Sequence, residues 1–261
     1  MVDGQRRSRR RSGRLLGNHQ KCWIWGRNLV RETLDAGVWA SFVVHADLEL
    51  GEAPREWLEK RTDELGLPLH WESADRLRQI CGSGDHQGFV AGMLDFPYTA
   101  EDGLDAIALH PESRLVVCDR IQDPFNFGAI IRSAEALGFS GILIGRSGQV
   151  GVTSHVARAS AGAVNHLPII RCESLRESLG RLRSHGMTCL AATEKSERAL
   201  GQSELHPPLA VLIGNEGYGS SPDLLTCCDL TVRIPVPGKT QSLNAAVAAG
   251  IILYEAVRRN A

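Results

Sequence analysis

Ile234-Pro-Val-Pro-Gly-Lys-Thr-Gln-Ser-Leu-Asn-Ala-Ala-Val-Ala-Ala-Gly-Ile-Ile-Leu-Tyr254 is the stretch on which the reading of this chain turns. It begins as the end of a strand, bends through a Pro/Gly loop and enters a helix whose first turns carry almost only small residues. Small side chains let a second backbone or a flat ligand come close. The helix is apolar nearly all round from Leu243 to Leu253, so it must be buried, in the core or against another subunit. Two more stretches look built to meet it: Asp119-Arg-Ile-Gln-Asp-Pro-Phe-Asn-Phe-Gly-Ala-Ile-Ile-Arg-Ser-Ala-Glu135 and Leu212-Ile-Gly-Asn-Glu-Gly-Tyr-Gly-Ser-Ser221.

Around these stretches the second half of the chain alternates strands and helices. Apolar runs at 115–119, 141–145, 167–170, 187–193, 209–213 and 230–234 read as strands, with helices over 127–137, 154–163, 175–185 and 242–258. The strands are continuously apolar, which predicts a parallel sheet covered on both faces. Asn126 reads as the N-cap of the first of these helices and Gly138 as its stop. At about 100° per residue, Ile130, Ala134 and Leu137 share one face, and Arg132 points away from it.

The first half reads α-β-α-β-α-β, with helices over 26–37, 55–65 and 74–81 and strands over 40–45, 68–71 and 88–94. This is a small α/β sandwich that holds all five tryptophans, expected mostly in its core. The predicted organisation is a basic flexible tail over 1–20, a first domain over 21–97, a linker over 98–112 and a second domain over 113–261.

Composition excludes several classes. The chain has 261 residues, 43% hydrophobic and 23% charged, an ordinary globular make-up. Its net charge of −1 is unevenly placed: residues 1–14 hold six arginines and one acid, which leaves −6 on the rest. A basic arm on an acidic body suits a polyanion partner; a leader with no role, or a mitochondrial-type presequence, fits the same composition. The seven cysteines show no C-x-x-C spacing, so neither a zinc site nor a disulfide framework is indicated, and a reducing cytoplasm fits. No stretch reaches the roughly 18 apolar residues of a membrane span.

The glycine-rich stretches first raise nucleotide binding. Gly238-Lys-Thr240 ends like a phosphate-binding loop, but that motif needs glycine where Arg233 stands. Gly214-Asn-Glu-Gly-Tyr-Gly219 is G-x-x-G-x-G, and not the dinucleotide G-x-G-x-x-G. No G-x-S-x-G nucleophile elbow is present. The nine histidines are scattered, so no metal is expected.

In order and spacing, the three stretches resemble the three motifs of the SpoU/TrmH family of RNA ribose 2′-O-methyltransferases, of the knotted SPOUT class. The resemblance covers about residues 113–258 and, more faintly, 23–97. It implies an α/β fold: a knotted parallel-sheet catalytic domain preceded by a small ribosomal-protein-like RNA-binding domain. It also implies S-adenosylmethionine as cofactor, RNA as partner, a homodimer built on the last helix, and no metal. Methyl transfer from a sulfonium needs none, because the leaving group is already activated; the protein must align the methyl with the attacking oxygen and assist loss of its proton.

The resemblance also carries residue roles. The cofactor loops begin at Thr193 and include 214–219 and 234–243, with Gly214, Ile234 and Leu243 matching cofactor contacts. Arg132 matches the arginine implicated in activating the ribose hydroxyl. A guanidinium with a pKa above about 12 is a poor base, but it can hold the 3′-phosphate bidentately and lower the pKa of the hydroxyl. A surface ion pair to Glu135 is the alternative for Arg132. Asn126 matches an asparagine that supports the site or the dimer, compatible with its capping. Glu216 is placed to orient Arg132 or the substrate, or is a solvated loop acid. Ser242 and Asn244 match the third-motif pair, and Ser242 also reads as a helix N-cap. The two-domain layout most resembles the branch that methylates a guanosine of 23S ribosomal RNA. A tRNA substrate, and a non-catalytic RNA-binding role in ribosome assembly, stand as alternatives.

Overall fold

Strands whose both faces are buried must be covered by helices on both sides, and the second half of the chain meets that demand with a six-stranded all-parallel sheet. The computed structural model describes residues 22–202, 205–239 and 242–258, and the chain divides into two compact units after Pro97. The basic arm expected over 1–20 lies outside the described residues.

The first unit runs β1 (Cys22–Trp25), α1 (Arg27–Ala36), β2 (Ser41–Asp47), α2 (Glu52–Leu65), β3 (Leu69–Glu72), α3 (Ala74–Cys81) and β4 (Phe89–Met93). Its sheet has the order β1-β4-β2-β3, with β4 antiparallel to both neighbours. The expected α-β-α-β-α-β order lacks β1. That strand is only four residues long and precedes every turn signal, so its partner β4 reveals it, not its own pattern. Of the five tryptophans expected mostly in the core, only Trp25 and Trp39 are buried, and Trp23 is half-buried. Trp57 and Trp71 are half-buried, with the guanidinium carbons of Arg31 and Arg55 at 4.6 and 3.9 Å from their ring centres.

The second unit runs α4 (Leu104–Ala108), β5 (Arg114–Asp119), α5 (Pro124–Ala136), β6 (Gly141–Gly145), α6 (Ser154–Ala159), β7 (Ile169–Cys172), α7 (Leu175–Ser184), β8 (Thr188–Ala192), β9 (Leu209–Gly214), α8 (Pro222–Leu225), β10 (Leu230–Val232) and α9 (Ala245–Arg258). The strand order is β10-β8-β9-β5-β6-β7. Side chains alternate across the sheet: Leu115 and Val117 join the core under α4 and α7, while Val116 and Cys118 are equally buried and point to the other face. From β10 at the sheet edge, the chain returns to its middle, where α9 packs on α5 and β9.

Three expectations are corrected. The stretch 98–112, read as a linker, starts the second unit at Tyr98, and its Leu104 and Ala108 sit in that unit's core. Helix α5 begins at Pro124, not Phe127. Its cap is Asp123, whose side chain accepts the Phe125 N–H, with proline at the first helical position where no amide is missed. Helix α9 begins at Ala245, not Ser242, and Asn244 caps it.

Candidate active site

A parallel sheet sends all its carboxyl ends to one edge, where loops leave the strands and ligands bind. Here β10, β8, β9 and β5 are successive neighbours, so the loops after Val232, Ala192, Gly214 and Asp119 leave the sheet side by side. Those loops carry the three stretches singled out in the sequence.

Side-chain hydrogen bonds join them. Asn126, displaced from the cap by Asp123, lies inside the first turn of α5 and is 8% exposed. Its Nδ2 donates to Glu216 Oε1 at 2.9 Å. Its Oδ1 accepts from Asn244 Nδ2 at 2.8 Å. Asn244 Oδ1 in turn accepts the amides of Ala246 and Val247, at 2.9 and 3.2 Å. One residue from each stretch thus enters a single relay, Glu216–Asn126–Asn244, that ends on the first turn of the last helix. Both hydrogen-bonding ends of the Asn126 amide are used, so its orientation is fixed.

A second set of bonds holds the Glu216 loop in place. Asp119, 3% exposed, accepts the N–H and the hydroxyl of Ser221 on Oδ2 at 2.6 and 2.7 Å. Arg120 donates its Nε to Asp119 Oδ1 at 2.9 Å and adopts a left-handed φ of 58°. Asn215 Nδ2 donates to the Arg120 carbonyl at 2.8 Å, and Asn215 Oδ1 accepts the amides of Gly217 and Tyr218. Gly214 is needed because the loop folds back on it: a Cβ there would overlap the backbone of Gly219 and Ser220. On the other side, Gly128 lets α5 lie close to α6, where a Cβ would meet Val156 O at 2.7 Å. Burial pushes the Cys118 thiol far above its usual range, reinforced by the negative charges of Glu216 and Asp119.

The remaining candidates lie around this frame. Thr193 donates its N–H to Val232 O at 2.9 Å, tying the loop after β8 to β10. Ile234 is half-buried, and Leu243 is 37% exposed. Ser242 is exposed ahead of α9 and makes no hydrogen bond to a described residue. Arg132 is exposed, with no ion pair to Glu135 or to any other described residue. Six residues from Asn126, it stands about 120° away around the helix. Glu216 is hydrogen-bonded to Asn126, and among the described residues no bond joins it to Arg132.

Asp119 and Asn215 were missed as site residues. Asp119 ends an apolar strand, where a buried carboxylate needs partners, and Asn215 two residues ahead of Gly217 is placed to form an Asx turn.

The SpoU rRNA methylase family profile matches residues 113–254, and a profile described as RNA 2′-O ribose methyltransferase substrate binding matches 23–97. The chain belongs to the SpoU rRNA methylase family. Among SpoU relatives, a protein described as a TrmH family tRNA/rRNA methyltransferase, YacO of Bacillus subtilis (strain 168), is 30% identical over 246 residues, 93% of this chain and 97% of that protein. The 23S rRNA (guanosine-2′-O-)-methyltransferase RlmB of Shewanella oneidensis is 32% identical over 203 residues, 77% of this chain and 82% of that protein. The crystal structure of the SpoU methyltransferase AviRb from Streptomyces viridochromogenes, in complex with AdoMet, superposes with a TM-score of 0.78 at 29% identity, covering 97% of this chain and 94% of that one. The parallel sheet of the second unit is that of the SpoU methyltransferase fold.

Proposed function

We propose that this SpoU family member transfers a methyl group from S-adenosylmethionine to a ribose 2′-hydroxyl of structured RNA, and that the target is a guanosine of 23S ribosomal RNA. The observation that carries the reading is the Glu216–Asn126–Asn244 relay, which gathers all three family motifs at the carboxyl edge of the sheet. The ribosomal target is supported by the RlmB likeness, and RNA as the substrate class by the substrate-binding profile over the first unit.

The loops fit a flat, polar cofactor. Residues 234–239 pair their backbone with no other described residue, and two of them are prolines without N–H, which leaves amides and carbonyls free for a ligand. Ser220 Oγ, beside Gly219, is buried without a partner among the described residues. Thr193, Gly214, Ile234 and Leu243 would line this hold. S-adenosylmethionine supplies a methyl already activated by the sulfonium. The relay holds the loops at fixed spacing, so that methyl and hydroxyl meet in line. Arg132 would grip the phosphate 3′ to the target ribose through its planar fork and lower the pKa of the hydroxyl, whose proton passes to that phosphate or to water. Ser242, exposed just ahead of α9, is the remaining candidate for a catalytic role.

The active form is a homodimer. Helix α9 buries Ala245, Ala249, Ile252, Leu253 and Ala256 within its own unit and leaves Val247, Ile251 and Tyr254 exposed at 52, 39 and 55%. That outer apolar stripe calls for a partner face. Among the described residues no helix is long and apolar enough to cross a membrane, and no group of His, Cys, Asp or Glu is placed to hold a metal. The proposed setting is the cytoplasm.

The test is transfer of labelled methyl to unmodified 23S fragments, 16S RNA and tRNA, with the position mapped by alkali resistance of the 3′ linkage. Label in the 23S peptidyl-transferase fragment is the expected result. Label in tRNA alone overturns the substrate and keeps the chemistry; no cofactor binding at all favours a non-catalytic assembly factor.

A further inference from the structure

We infer that Tyr218, together with Phe125, forms a stacking platform for the RNA bases flanking the target ribose; this deepens the reading of the site as an RNA methyltransferase and rests on it. The aromatic rings of the second unit divide sharply. Phe127 and Phe139 are buried, and Tyr98 lies half-buried beneath Arg171. Phe125, Tyr218 and Tyr254 are exposed at 62, 88 and 55%. Tyr254 belongs to the outer stripe of α9. The other two flank the relay: Phe125 precedes Asn126, and Tyr218 stands two residues after Glu216, the two residues joined at 2.9 Å.

The loop under Tyr218 is not slack. Asn215 Oδ1 receives the Tyr218 and Gly217 amides, Asn215 and Gly219 exchange both backbone hydrogen bonds, and Asp119 clamps Ser221 at the loop's far end. The backbone is fixed while the ring stands 88% exposed. A large ring held out on a rigid turn loses little further freedom on binding. Phe125 is held in a similar way at the start of α5, with the exposed His155 ring edge-on at 6.2 Å.

The chemistry selects nucleobases as the occupant. Sequence-specific recognition of RNA targets loops and bulges whose unstacked bases are open to an aromatic ring, and every base offers such a face. No carboxylate other than Glu216 lies on the 214–221 loop, so the platform's own loop carries little to repel the RNA backbone.

The experiment uses the full chain and an unmodified transcript of the 23S peptidyl-transferase domain, comparing Tyr218→Ala, Tyr218→Leu, Tyr218→Trp and Phe125→Ala with wild type. Tyr218→Ala is expected to raise Kd and KM for the RNA on the order of tenfold, with S-adenosylmethionine affinity unchanged and kcat altered less than KM. Tyr218→Trp restores RNA affinity and Tyr218→Leu does not. An unchanged RNA Kd in Tyr218→Ala overturns the inference, as does full rescue by leucine. A loss of dimer by sedimentation in Tyr218→Ala also overturns it and assigns the ring to subunit contact. If the wild type methylates no RNA, the functional reading fails separately, and the RNA Kd comparison still decides for or against stacking.

Discussion

Asn244 Nδ2 donates to Asn126 Oδ1 at 2.8 Å, across 118 positions of chain, while Asn126 uses its own Nδ2 on Glu216. Only an amide can accept at one end and donate at the other in this geometry. Asn126→Asp keeps the shape, removes the donor and sets a second carboxylate against Glu216. It is expected to lower stability by about 1–3 kcal/mol and to slow methyl transfer at least tenfold. Adding Glu216→Gln to Asn126→Asp restores a donor between the two side chains and recovers part of both. Thermal unfolding and single-turnover rates of the four proteins check this; strictly additive effects would sink the relay as a working unit.

Arg132 has no ion pair with any described residue, so its removal should cost the fold little. Arg132→Ala is expected to stay within about 0.5 kcal/mol of wild-type stability, to bind S-adenosylmethionine normally and to lose methyl transfer by two orders of magnitude or more. Arg132→Lys keeps the charge and loses the fork, so it recovers little of the rate. Wild-type turnover in Arg132→Ala would remove Arg132 from the mechanism.

Gly214→Ala places a Cβ in the backbone of Gly219 and Ser220, neither of which can yield as a side chain end could. The expected result is a loss of more than about 1 kcal/mol of stability together with weaker cofactor binding, because the whole 214–221 hairpin must shift. Calorimetric titration with S-adenosylmethionine, paired with thermal unfolding, separates the two effects. An unaltered cofactor affinity would detach this loop from the cofactor site.

The parallel sheet was legible because its strands, such as Leu209–Gly214, are apolar without alternation, and the small residues opening α9 showed that something packs closely there. The three site stretches were legible as a set, but the bonds between them were not. Asn126 reads as a cap because short polar side chains favour that position; Asp123 with Pro124 is an equally good signal three residues earlier, and it wins because proline loses no amide there. Once displaced, Asn126 is free for long-range pairing that no local pattern records. The same holds for Asp119 and Asn215, whose partners lie 102 and 95 positions away. In 98–112, Leu104, Ile107 and Ala108 follow helical spacing, yet the flanking Pro97 and Pro111 and the acids mask that short amphipathic turn.

Buried thiols give the fold a dependence on alkaline pH. Burial pushes Cys189 and Cys228 up to about 12 and Cys172 to about 11, with Cys118 higher still; the neighbouring Cys227, Cys228 and Asp229 add negative charge around the first two. In the unfolded chain these thiols ionise near 9. The folded state therefore holds protons that the unfolded state releases, and the stabilisation, complete below about pH 9, falls as pH rises toward 12. The urea midpoint is expected to drop steadily from pH 8 to pH 10. Lysine and tyrosine titrate in the same window, so Cys118→Ala supplies the control: it lowers stability at pH 8 and flattens the slope above it. In the intact protein Cys118 should also resist alkylation at pH 8 and react only once denaturant opens the sheet. A Cys118→Ala slope equal to that of wild type would mean that this thiol, for all its burial behind Asp119, does not sense alkali through the fold.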